Sequence, residues 1–326
     1  MKKIAVDLLG GDNPEEELLK GAVQASKDHP DLVLAVFGTK DRIQKTLAEE
    51  KADSSHFEIH EALPLDPSIH GVMDMMRFKG RSSLTDALEF SKNDPECEGI
   101  VSPGPTGMLL VSSLRRVGML DGLSFPALGA LLINIHQKPV LLLDCGANTD
   151  VSAQKLYEFA VLGSALMKSY LHLSSPRIGL MNVGKEDTKG DKLRKEAFPL
   201  FKNASFNFIG NLEGSDVFLD KADVVVCDGF SGNLILKNAE ATALICKKIV
   251  ELNGKDDPSC QQAAKMIYSM FAYNELGGAI VLGAKRIIMK AHGAANAKSI
   301  ASVINDIDVL YKGGYLAEME KAVSSR

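Results

Sequence analysis

Short apolar runs recur along this chain. Each is closed by a loop of glycine and small polar residues and leads into residues with helical spacing. The clearest is Val224–Val225–Val226, a β-branched run of the kind covered on both faces of a parallel sheet. It leads through Cys227 into Asp228, Gly229, Phe230, Ser231, Gly232 and Asn233. The same order appears where Ile4–Leu9 enters Gly10, Gly11 and Asp12, and where Ile100–Val101 enters Ser102, Pro103, Gly104, Pro105, Thr106 and Gly107. Val140–Leu143 enters Asp144, Cys145, Gly146, Ala147 and Asn148, while Ile178–Met181 enters Asn182, Val183, Gly184 and the stretch to Lys189 and Gly190. Phe206–Ile209 runs into Gly210 and Asn211. Further strands are expected at Leu32–Phe37, Phe57–His60, Ala279–Leu282 (after Gly277 and Gly278) and Ile287–Met289.

Parallel sheets carry ligand sites at the carboxyl ends of their strands. The pattern therefore predicts a doubly wound α/β fold whose loops converge on one cleft. Gly229 and Gly232 would let backbone N–H groups approach a ligand. A helix simply capped by Asp228 is the other reading of that turn.

Between the strands, Asn13–Glu17 predicts a helix start, with Asn13 as N-cap, Pro14 at the first helical position and Glu16 as capping-box acid. A charged helix is expected around Asp41–Lys51, and Ser82 or Ser83 caps another running towards Lys92. Ser152–Leu171 reads as a mostly buried helix. Leu234–Leu252 is amphipathic and broken at Asn253–Pro258, with Asp256 in the break, before a helix over Ser259–Tyr273. This pair, 234–275, is expected to project, for dimer packing or for membrane or partner contact. Met73–Ser83 shows neither helical nor strand period. It reads either as a core edge before a solvated loop, or as an apolar lip rimmed by Arg77, Lys79 and Arg81. Nothing resembles a linker or repeat, so one domain over 1–326 is expected.

The 326 residues are 45% hydrophobic and carry a net charge of −5, with a pI near 5.9. That balance argues against a nucleic-acid partner. The five cysteines lack metal-ligand spacing, and no metal is expected. The run after Met1–Lys2–Lys3 is too short for a signal peptide, and none is long enough to span a membrane. A cytoplasmic protein follows, with peripheral membrane contact left open. Dinucleotide, P-loop, GxSxG and HExxH motifs are absent. His292, in a glycine-bounded loop, is either an orienting or a catalytic histidine. Such glycine-lined loops favour an anion, phosphate above all.

In order, VDLLGGDNPEE, SPGPTGMLL, LLLDCGANTD, RIGLMNVGKEDTKG, FNFIGNLEG, ADVVVCDGFSGNLILK, ELGGAIVLG and KAHGAANAKSI resemble the phosphate acyltransferase family of bacterial phospholipid synthesis. The resemblance implies a three-layer αβα fold with a mostly parallel sheet, similar to isopropylmalate dehydrogenase and phosphotransacetylase, and a projecting helical hairpin. It also implies a homodimer, no cofactor, and transfer of a long acyl group from acyl carrier protein to inorganic phosphate. For that reaction Lys189 would supply positive charge and Asn233 an amide donor. Asp7, Gly10, Gly11, Asp12, Ser102, Gly104, Thr106, Gly107, Asp144, Gly146, Asn148, Asn182, Gly184, Asp228, Gly229, Ser231, Gly232 and His292 would line the phosphate and substrate site. Asp144 and Asp228 would orient loops rather than face phosphate. Arg77, Lys79 and Arg81 would meet the carrier protein.

The chain departs from the family pattern at Leu8–Leu9, Pro103, Pro105, Val151–Gln154 and Ala294–Ala295, which removes polar groups from these loops. A phosphotransacetylase acting on acyl-CoA and a non-catalytic partner of lipid synthesis are the alternatives.

Overall fold

The structure, a computed structural model, describes residues 1–255, 257–271 and 278–325. Asp256, Tyr273, Glu275 and Gly277, which figure in the expected hairpin and the strand entry after it, lie outside them. One domain was expected. The chain divides into two compact units, Met1–Pro126 with Gly277–Ser324, and Ala127–Leu276 with the last two residues.

In the first unit, β1 (Lys2–Asp7), β2 (Leu32–Gly38), β3 (Phe57–Glu61), β4 (Cys97–Ser102), β10 (Ala279–Leu282) and β11 (Ile287–Lys290) form a sheet in the order β3-β2-β1-β4-β11-β10. All neighbours are parallel except β10 and β11. Helices α1 (Glu15–Asp28), α2 (Lys40–Glu49), α3 (Val72–Arg77), α4 (Ser83–Asn93), α5 (Thr106–Ser112), α10 (Ala297–Lys312) and α11 (Tyr315–Ser324) flank it. In the second unit, β5 (Ala127–Ile133), β6 (Pro139–Leu143), β7 (Ile178–Met181), β8 (Phe208–Leu212) and β9 (Val224–Val226) follow the order β5-β6-β9-β7-β8, with only β5 antiparallel to its neighbour. Its helices are α6 (Ala153–Leu171), α7 (Lys192–Lys202), α8 (Gly229–Asn253) and α9 (Pro258–Phe271). The expected α/β architecture with a mostly parallel sheet is thus present.

Several local expectations change. Asn13 does not cap α1; Pro14 holds that position and the helix starts at Glu15. The Asn13 amide donates instead to the carbonyls of Ala294 (3.2 Å) and Ala295 (2.8 Å), tying together two loops distant in sequence. Glu16 is not a capping-box acid either, because it pairs with Arg42 at 2.7 Å. The Met-rich stretch contains α3, which buries Met75 and leaves Met73 and Met76 exposed. A helix of barely two turns repeats its period too few times to be read. The sixth expected strand moves to β8, so Gly210 and Asn211 lie inside it rather than in a loop. Phe206 is drawn off the strand by the rings of Tyr157 and Phe201, each 5.5 Å away between centroids. β5 was not foreseen. Helix α8 begins five residues earlier than expected, directly after Asp228.

Candidate functional site

In the second unit the register pairs Leu143 and Leu180 with Val226. The chain therefore leaves β6, β7 and β9 at one edge, where Asp144, Asn182 and Asp228 follow. Asp144 is fully buried. Its Oδ1 accepts the N–H groups of Leu128 (3.2 Å), Gly146 (3.2 Å) and Ala147 (3.0 Å). Its Oδ2 accepts the Asn148 N–H and side-chain amide, both at 2.7 Å. Burial pushes this carboxyl up, and the donors around it pull it back. Asp144 thus holds the loop that follows it.

The start of α8 is organised in the same way. Asp228 is its N-cap and accepts from the Ser231 N–H and hydroxyl, each at 2.8 Å. The Gly229 N–H donates to Asn148 O at 2.7 Å and the Gly232 N–H to Asp228 O at 3.0 Å. These amides are therefore directed at protein oxygens, not offered to a ligand as the sequence suggested. The two glycines serve close packing. A Cβ on Gly232 would lie 1.9 Å from Asp144 O, and one on Gly229 would lie 2.7 Å from Asn148 O. Asn233, one turn into α8, is exposed, and its side chain lies against Gly146, whose φ of +122° suits glycine.

The loop after β7 carries Lys189, which is half-exposed and 3.7 Å from Glu186 Oε1. The Asn182 amide donates to Lys189 O at 3.1 Å and its Oδ1 accepts the Val183 N–H at 2.8 Å, so Asn182 shapes this loop from below. Gly184 packs under it, where a Cβ would lie 3.3 Å from Lys189 Cγ. Arg194 on α7, which the sequence did not single out, reaches this edge too. Its guanidinium pairs with Asp228 and donates to Ser231 Oγ at 3.2 Å. Burial raises the Asp228 carboxyl, but the Ser231 donors and the Arg194 charge together hold it below the ordinary value. Cys145 and Cys227 are buried beside these loops, and burial pushes both thiols up, so neither supplies a thiolate nucleophile.

The first unit gathers its own cluster. Asp7 at the end of β1 is fully buried and accepts from Ser102 Oγ at 2.6 Å and from the Leu9 N–H at 3.1 Å. Burial raises this carboxyl as well. Ser102 Oγ in turn accepts the Gly104 N–H at 3.1 Å. Gly10 stands where a Cβ would be 2.4 Å from Asp7 Oδ2. The Asp12 N–H donates to Gly293 O at 2.7 Å. His292 Nδ1 accepts the Ala294 N–H at 3.1 Å, which leaves the proton on Nε2 in the neutral ring. Thr106 and Gly107 open α5 rather than lying in a loop, and a Cβ on Gly107 would meet Val72 at 2.8 Å. A Cβ on Gly11 would lie 3.0 Å from Gly293 O. Lys290, also not foreseen, is buried at the end of β11 and donates to Pro103 O at 3.3 Å and to Ala291 O. Arg77, Lys79 and Arg81 are exposed, and Arg81 pairs with Asp86.

Sequence order hides Arg194 and Lys290 because their partners stand 34 and 187 positions away. The one local signal for Arg194 is Asp191, three residues before it, which caps α7 and accepts its N–H. Among the described residues, no group of His, Cys, Asp and Glu is arranged to hold a metal ion.

Known proteins bear on these clusters. The chain is 32% identical to the phosphate acyltransferase of Thermoanaerobacterium thermosaccharolyticum, over 98% of this chain and 96% of that one. It is 34% identical to that of Clostridium tetani, over 98% and 97%, and 36% identical to that of Pediococcus pentosaceus, over 93% and 89%. Among solved structures it is similar to a phosphotransacetylase from Streptococcus pyogenes, with a TM-score of 0.65 at 15% identity over 95% of this chain and 93% of that one. A branched-chain phosphotransacylase from Enterococcus faecalis V583 gives a TM-score of 0.58 at 14% identity over 95% and 100%. At such identity these two speak for the fold alone. Residues 2–313 match the family described as fatty acid synthesis protein, and the chain belongs to that family.

Proposed function

We propose that this chain is an acyltransferase that moves a long-chain fatty acyl group from acyl carrier protein to inorganic phosphate, forming acyl phosphate. The observation that carries it is the near full-length similarity to proteins named phosphate acyltransferase. In the reaction a phosphate oxygen attacks the thioester carbonyl, the C–O bond forms, the C–S bond breaks, and the thiolate leaves and takes up a proton. Phosphate is already largely ionised near neutral pH, and a thiol of ordinary pKa about 8.5 is a fair leaving group. The protein's work is then to hold a dianion and to stabilise the developing oxyanion.

Lys189 suits that work. Its pairing with Glu186 is loose, so the ammonium turns towards an incoming dianion at little cost. Asn233 offers an exposed amide at the second turn of α8. Asp144 and Asp228 have their oxygens engaged by donors, which keeps their charge from opposing phosphate. The exposed Arg77, Lys79 and Arg81 would attract an acidic carrier protein. A second copy of the chain would cover Leu244, Ile245, Ile249 and Leu252, which stand exposed along α8. No described helix is long and apolar enough to cross a membrane, and peripheral contact through the same helices is compatible with that surface.

The test is to incubate the protein with long-chain acyl carrier protein, with and without phosphate, and to trap acyl phosphate with hydroxylamine. Phosphate-dependent product is expected, and Lys189→Ala and Asn233→Ala should each lower its rate roughly 10²–10³-fold. Wild-type rates in both folded variants would overturn the assignment of these residues. Product from acyl-CoA but not from the carrier protein would overturn the substrate.

A further inference from the structure

Arg194 joins three segments that the proposed reaction needs in register. Its Nε donates to Met181 O at 3.3 Å, at the end of β7, and Nη1 to Asp191 Oδ2 at 2.9 Å, at the cap of α7. Nη2 pairs with Asp228 and donates to Ser231 Oγ at 3.2 Å, in the first turn of α8. The Arg194 side chain is only 11% exposed and that of Asp228 only 8%.

Around it the packing leaves little slack. Gly190, at φ +102°, is wedged so that a Cβ there would lie 2.4 Å from Asn182 Oδ1 and 2.8 Å from Arg194 Cβ. Asn182 in turn holds Lys189 through the backbone carbonyl. Lys189 lies in the loop after β7 and Asn233 in the second turn of α8. Between them Asn182 holds the Lys189 carbonyl, Gly190 packs tightly against Asn182 and Arg194, and Arg194 pairs with Asp228, which holds Ser231 two residues before Asn233.

We propose that Arg194 is the positioning residue for acyl transfer: it anchors the Lys189 loop to the first turn of α8 and cancels the Asp228 charge beside the phosphate site. The proposal rests on the function proposed above. It separates into two effects. Loss of the anchor misplaces Lys189 and Asn233 and lowers kcat. Loss of the charge leaves a partly buried carboxylate unopposed, repels phosphate and raises its KM. A purely structural arginine would lower stability without singling out phosphate.

The experiment is steady-state acyl-phosphate formation by wild type, Arg194→Ala, Arg194→Lys, and Arg194→Ala combined with Asp228→Asn, at saturating acyl carrier protein and varied phosphate. Thermal unfolding reports folding, and Arg194→Gln, which retains the packed stem, replaces the alanine if that variant does not fold. Arg194→Ala should raise KM for phosphate by about tenfold or more and lower kcat, because one uncancelled charge in a low-dielectric site is worth at least that factor. Adding Asp228→Asn should return most of the KM while kcat stays low, and Arg194→Lys should fall between. Unchanged KM and kcat in Arg194→Ala would overturn the proposal, as would a double variant whose KM stays as high as that of the single one. A wild-type protein that forms no acyl phosphate overturns the function and this inference with it, which distinguishes the two failures.

Discussion

Replacing Asp144 by asparagine removes one atom's worth of acceptor and leaves the shape almost intact, which isolates the role of this carboxylate. The two oxygens accept five N–H groups, three at Oδ1 and two at Oδ2. In either orientation the new amide nitrogen faces donors. Set at the Oδ2 position it opposes the Asn148 N–H and side-chain amide, both 2.7 Å away. Set at Oδ1 it opposes three. The first is cheaper, and two orphaned donors, both part-buried, cost at most roughly 2–6 kcal/mol. Burial of the negative charge works the other way, since it raises the Asp144 carboxyl and the asparagine is neutral. The net loss therefore falls towards the lower end, about 2–3 kcal/mol. Thermal melts of wild type and Asp144→Asn should then differ by several degrees, at about 2–4 °C per kcal/mol for a unit of this size. Acyl-phosphate formation should fall as well, because the loop that supports Asn233 through Gly146 and receives the Gly229 N–H through Asn148 loses its anchor. A variant that melts at or above the wild-type temperature would refute the view that these donors converge on a carboxylate.

Two other outcomes follow from the packing and charges. Gly232→Ala should destabilise by roughly 1–3 kcal/mol despite alanine's better helix propensity, because its Cβ would stand 1.9 Å from Asp144 O and 2.9 Å from Cys227 Sγ; a higher melting temperature would contradict the packing. Glu98 at the start of β4 is buried with Lys2 Nζ 3.4 Å away, and burial raises its carboxyl from 4.5 to about 7. A raised acid is neutral and unpenalised below the unfolded value, and its cost grows as pH climbs through the window from 4.5 to about 7. Glu98→Gln should therefore gain up to about 3 kcal/mol over wild type between pH 4.5 and pH 8, read as a widening difference in denaturant midpoint; a difference independent of pH would sink this account.

Local chemistry made much of this protein legible in its sequence. Val224–Val226 could only be a covered strand, because continuous β-branched apolar runs have no polar face to show to water. A cap at Asp228 was one of the two readings of its turn, and Ser82 or Ser83 was expected to cap α4, a place that Ser82 takes. The motifs, taken in order, were sufficient for the family. Tertiary structure alone decided where the side chains and amides at the strand ends are spent. Asn13 left its cap for two distant carbonyls, and Phe206 left its strand for an aromatic cluster. The glycine amides of α8 turned to Asn148 and Asp228, and Arg194 and Lys290 entered the loops from far along the chain. The reason is physical. A hydrogen-bonding group is satisfied by whatever the fold brings within about 3 Å, and sequence spacing constrains that neighbour only within a turn or two of the same element.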